Sequence, residues 1–133
     1  MSLADLKALS NISPEELADL REICYKDCEK VEGHLFYRGI DTKKYSQTNF
    51  QLRNTRFHMR KAQLSLFLKL KEDENFVIDS WDDTKGVSHL CHRKTCIEEG
   101  HLQLETLEHN RERDNCLKVG RCVGHKDRPN CIL

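Results

Sequence analysis

No apolar run in this 133-residue chain approaches the ~18 residues that a membrane-spanning helix needs. A secretory leader is missing too, since Met1-Ser2-Leu3-Ala4-Asp5 has neither a basic start nor an apolar stretch behind it. These absences predict an intracellular protein, nuclear or cytoplasmic, and not a secreted one. Apolar residues are scarce, at 38% hydrophobic against 33% charged, so burial alone would leave a domain of this size marginal. Small domains in that position are commonly stapled by disulfides or metals. There is no internal repeat, low-complexity tract or linker, and one α+β domain over residues 1–133 is the simplest organisation. Net charge is also lacking: the formal value is zero, which at first argues against a nucleic-acid partner.

What the chain does have is cysteine and histidine, concentrated at one end. Residues 88–131 hold five cysteines and five histidines in 44 positions. The total of seven cysteines is odd, and histidines alternate with them, so metal ligation is favoured over a disulfide framework. Cys91-x4-Cys96-x4-His101 offers three soft ligands in a short loop. Cys116-x5-Cys122-x2-His125-x5-Cys131 offers a complete Cys3His set. Structural zinc takes four tetrahedral sulfur and nitrogen ligands, so the first cage needs one more from upstream. Left with three ligands and a water, it would be a catalytic metal instead. His89 stands two places before Cys91, too close to join that cage easily. His92 directly follows Cys91 and reads as a loop residue.

The zero net charge hides an uneven distribution. Residues 1–33 carry −4, residues 34–71 carry +8, residues 72–83 carry −6 and residues 84–133 carry +2. The basic middle could present one positive face to phosphates. Ser13-Pro14-Glu15-Glu16 predicts a helix start with a capping box, and Leu17, Leu20, Ile23 and Cys24 continue it as an apolar stripe to about Asp27. The first 30 residues thus read as a helical segment. Short strands are expected at 35–37, 49–53 and 76–78, a helix over 62–70, a polar turn at 72–75 and a loop over 82–86. A hairpin beginning at His89 would cross the first metal loop and lead into a helix over 107–114, bringing His89 beside Asn110. His34, His58 and His109 read as structural or exposed residues.

The run Ser88-His89-Leu90-Cys91, then Cys96, His101, Asn110, Arg113 and Cys116, resembles the His-Cys box branch of the His-Me finger (ββα-metal) endonucleases, which includes homing endonucleases. The resemblance covers residues 88–131, the two-zinc core. It implies a small zinc-stapled ββα-metal nuclease domain with an N-terminal helix and a short antiparallel sheet. It also implies His89 as general base and Asn110 as ligand of a catalytic Mg²⁺, beside two structural Zn²⁺. These roles make chemical sense. An imidazole with its ordinary pKa of ~6.5 can take a proton from water near neutrality, so cleavage should rise through pH of about 6 to 7. An amide oxygen is a hard ligand suited to a cation that keeps several waters.

The resemblance further implies a cysteine at the start of the N-terminal sheet as the missing zinc ligand. Cys24 and Cys28 both qualify, and Cys28 is preferred because Cys24 lies on the apolar stripe of the first helix. An arginine near the scissile phosphate is implied as well; Arg53 is the choice over Arg56. Homing enzymes of this kind exchange C-terminal tails as dimers, whereas this sequence stops two residues after Cys131, which leaves the oligomeric state open. Two functions are expected. One is a Mg²⁺-dependent endonuclease acting on DNA, or RNA, to leave 5′-phosphate and 3′-hydroxyl ends. The other is a catalytically silent, zinc-stapled module that binds nucleic acid or protein.

Overall fold

The computed structural model describes residues 3–37, 47–73 and 75–132, without the side chains of residues 3, 4 and 6. The basic residues Arg38, Lys43 and Lys44, and Glu74 of the polar turn, lie outside this set. A short helix α1 (Leu3–Leu9) precedes α2 (Pro14–Tyr25). The start of α2 follows the sequence pattern: Ser13 Oγ accepts from the Glu16 N–H (3.1 Å), and Glu16 Oε1 accepts from the Ser13 N–H (2.9 Å). Leu20 and Cys24 carry its stripe into the core.

Three antiparallel hairpins follow. β1 (Cys28–Val31) pairs with β2 (His34–Tyr37), β3 (Gln47–Leu52) with β4 (Thr55–Arg60), and β5 (Lys85–His89) with β6 (Leu102–Thr106). The first two turn on two residues of positive φ, Glu32 (53°) with Gly33 (82°), and Arg53 (49°) with Asn54 (64°). Such primed turns match the twist of the strands they join. In the third hairpin the connection is the first metal loop.

Helix α3 (Lys61–Lys71) leaves β4 without a loop and is buried nearly all round, with Ala62, Leu64, Leu66, Phe67 and Leu68 inside. A helix buried on most sides belongs at the centre, and the buried Ser65 hydroxyl of α3 donates to Ile97 O (2.8 Å). It touches α2, β4, β5 and β6. The last helix, α4 (Leu107–Val119), is capped by Thr106 Oγ1, which accepts from the His109 N–H (3.1 Å), and ends on left-handed Gly120.

The α+β class, the two best-marked helices and the small antiparallel sheets agree with the sequence. Several details do not. The segment expected as a strand at 76–78 instead leads into a 3₁₀ turn at Ile78–Ser80, where Val77 is exposed and its carbonyl accepts from the Ser80 N–H. The expected loop over 82–86 gives way to strand from Lys85. The N-terminal segment turns to strand at Cys28. The hairpin does not begin at His89: His89 is the last residue of β5, opposite Leu102. Helix α1 falls within the helical segment expected over the first 30 residues, and strand β4 carried no sequence expectation.

Candidate active site and metal centres

Two groups of ligands converge as the spacing demands. Cys116, Cys122, His125 and Cys131 bring their ligand atoms within 4.8 Å of one another. His125 Nε2 stands 3.5 Å from both Cys116 Sγ and Cys131 Sγ. A tetrahedral zinc with Zn–S of ~2.3 Å and Zn–N of ~2.0 Å sets neighbouring ligand atoms roughly 3.5 Å apart, so the four residues fit that ion. The cage has an outer layer of support. Arg113, almost fully buried, grips Glu105 through two hydrogen bonds (2.6 and 2.5 Å). It also donates to Pro129 O (2.8 Å) and to Cys131 Sγ (3.4 Å). The Cys131 N–H donates to Cys122 Sγ (3.2 Å). Donors aimed at ligand sulfurs favour the thiolate that a metal requires. Burial pushes the Glu105 carboxyl pKa up, but Arg113, the Ser88 hydroxyl and Arg128 together hold the group below its ordinary value.

The first group brings Cys91, Cys96 and His101 together with a fourth residue other than Cys28. The fourth is His34, with all four ligand atoms again within 4.8 Å. Cys96 Sγ and His101 Nδ1 are 3.5 Å apart, and the rings of His34 and His101 meet edge to face at 5.1 Å. Among the described residues His34 Nδ1 is buried without a hydrogen-bond partner, an uncommon state for a buried polar atom and one consistent with a metal-binding cluster. Cys28 stays away. Its thiol turns back toward the end of α2, to the carbonyls of Cys24 and Lys26, while Cys24 is a core residue. The reason lies in the register of the first hairpin. Cys28 pairs with Tyr37 at the open end, whereas His34 follows the turn and pairs with Val31. The Ile97 N–H donates to Leu35 O (2.9 Å), docking that turn end on the metal loop.

Between the two cages, β5 and α4 enclose a cleft. His89 and Asn110 border both of its halves, of about 180 and 260 Å³. The smaller half adds Arg60, Gln63 and Leu107, and the larger adds His92, Lys94 and Asp114. Burial depresses the His89 pKa to about 4; Cys96 opposes that shift and the Arg60 charge adds to it. A bigger cavity of about 460 Å³ lies elsewhere, between Asn11 and the end of α3, and has no histidine or cysteine in its lining.

Arg53 is not part of this cleft. It is a turn residue, held by Glu16 (2.6 Å) and by the carbonyl of Asn11 (3.0 Å). Arg60 ends the same ribbon beside His89. With a strand rise of ~3.3 Å per residue, the five steps of β4 separate the two ends by roughly 17 Å. Strand β4 alternates, with Phe57 and Met59 inward and Arg56, His58 and Arg60 outward.

A β-hairpin closing on a helix, stapled at two His/Cys clusters that fit zinc, defines a His-Me finger, a nuclease-like domain. The chain belongs to the family described as the zinc-binding loop region of homing endonuclease, which matches residues 24–132. No curated protein and no solved structure matches the chain. Among the described residues, no helix is long and apolar enough to cross a membrane.

Proposed function

We propose that this protein is a Mg²⁺-dependent endonuclease that hydrolyses DNA phosphodiester bonds, with His89 as general base and Asn110 as the protein ligand of the cation. The observation that carries this reading is the meeting of His89, Asn110 and Arg60 on one cleft. Burial keeps the His89 imidazole neutral, so it is ready to accept a proton from an attacking water. Arg60, at the end of β4, supplies a positive charge for the phosphate. Asn110, in the first turns of α4, offers a hard amide oxygen. A bound Mg²⁺ would neutralise charge developing on the leaving oxygen. The role of the two zinc cages is structural: Cys91, Cys96, His101 and His34 hold the loop after His89, and Cys116, Cys122, His125 and Cys131 hold the end of α4. Contacts of α3 with both α2 and β6 support treating residues 1–133 as one domain.

A plasmid-nicking assay with and without Mg²⁺ tests the proposal. Parent protein should nick only with the cation, and His89→Ala and Asn110→Ala should not. Tight nucleic-acid binding without any cutting by the parent would favour the silent binding module instead.

A further inference from the structure

We infer that Asp114 is a second protein ligand for the divalent cation assigned to Asn110, an inference that rests on the function proposed above. Asn110, Asp114 and Leu117 recur along α4 at intervals of four and three, the spacing that puts side chains on one helical face. All three border the 260 Å³ half of the cleft. Arg113 and Cys116, out of phase with them, are buried against the second cage. Asp114 is therefore the one anionic side chain on the face that carries Asn110.

Chemistry favours pairing the two. Mg²⁺ is held through one or two carboxylates and prefers oxygen donors. A single amide is uncharged and gives a divalent ion little reason to leave bulk water. The same cleft carries the Lys94 ammonium, which opposes cation entry, and Asp114 offsets that charge. The Asp114 carboxylate acts electrostatically on His92 across the same space. His92 supplies an independent sign that the cleft takes a ligand. It borders the same space, and among the described residues its Nε2 is buried without a hydrogen-bond partner, an uncommon state for a polar atom.

Mn²⁺ binding to the zinc-loaded protein, read by electron paramagnetic resonance, tests this without any turnover. Asp114→Asn keeps the shape and removes the charge, and it should weaken Mn²⁺ binding at least about tenfold while zinc content and melting temperature stay as in the parent. Glu108→Gln removes an exposed acid from the same helix outside the cleft and should bind as the parent does. If Asn110→Ala loses Mn²⁺ but Asp114→Asn keeps it, the inference about Asp114 is overturned and the role of Asn110 stands. If both variants bind like the parent, or the parent itself takes up no Mn²⁺ at millimolar concentration, the cation site fails with it.

Discussion

His89 combines two demands that pull its chemistry in one direction. It must be neutral to accept a proton, and its position at the end of β5 buries it enough to depress its pKa to about 4. With that value the rate is expected to run flat with respect to His89 rather than to rise through pH of about 6 to 7. A histidine with its folded pKa below the unfolded value of ~6.5 stays neutral throughout that range, and the rate should be flat with respect to His89 from about pH 6 to 8. A pH–rate profile with a half-point near 6.5 that vanishes in His89→Ala would contradict this. The same shift has a stability side. The unfolded chain binds the extra proton first, so His89's contribution to stability is complete above ~6.5 and is lost as pH falls toward the folded value. His89→Ala should lower cleavage by about 10²–10⁴ with zinc content unchanged.

The two arginines of the ribbon should separate in the same assay. Arg60→Ala should depress cleavage strongly, because it removes a charge from the cleft wall. Arg53→Ala should leave cleavage near the parent level and shift the melting temperature only slightly, since exposed ion pairs contribute little. Equal losses in both variants would return Arg53 to consideration.

At the scale of elements, Arg113 ties three segments together: β6 through Glu105, its own helix α4, and the second zinc loop through Pro129 and Cys131. Both side chains of the Arg113–Glu105 pair are 1% exposed. Arg113→Leu would leave Glu105 buried with the Ser88 hydroxyl and the longer Arg128 contact (3.5 Å). Removing one partner of a buried pair costs about 3–5 kcal/mol, and denaturant unfolding should report a loss of that order. A loss below about 1 kcal/mol would mean that the pair is far more solvated than its burial implies. The first hairpin makes a sharper element-level case. Its turn end carries His34 into the first cage while its open end keeps Cys28 out. His34→Ala should therefore lower zinc content by one equivalent and Cys28→Ala should leave it unchanged, as measured by elemental analysis. The reverse result would restore Cys28.

For the whole molecule, the expected content is two zinc ions per chain. With so little apolar residue to bury, the metals replace what a larger core would supply. Structural zinc in finger peptides contributes about 10–16 kcal/mol of binding free energy, so strong chelation should unfold the C-terminal half, seen as loss of α4 and the β5–β6 hairpin by hydrogen exchange. Intact protection in a metal-free sample would sink the zinc-stapled architecture.

How much of this was legible beforehand follows from sequence separation. Cys116, Cys122, His125 and Cys131, and the trio Cys91, Cys96 and His101, lie within a few residues of one another, and loops that short close with little freedom to choose another partner. Their grouping, the capping box of α2 and the apolar run of α3 were determined by the sequence alone. His34 lies 57 positions before Cys91, and nothing local distinguishes it from Cys28. Only the register of the first hairpin, and the hydrogen bond that docks it on the metal loop, decided between them. The placement of the two arginines is a similar case: the direct passage of β4 into the buried helix α3 brings Arg60 to the cleft beside His89 and leaves Arg53 at a distant turn. Local spacing records which residues can share a cage or a helix face. Which distant residue completes the site depends on how hairpins dock against a common core, and that information exists only once the chain has folded.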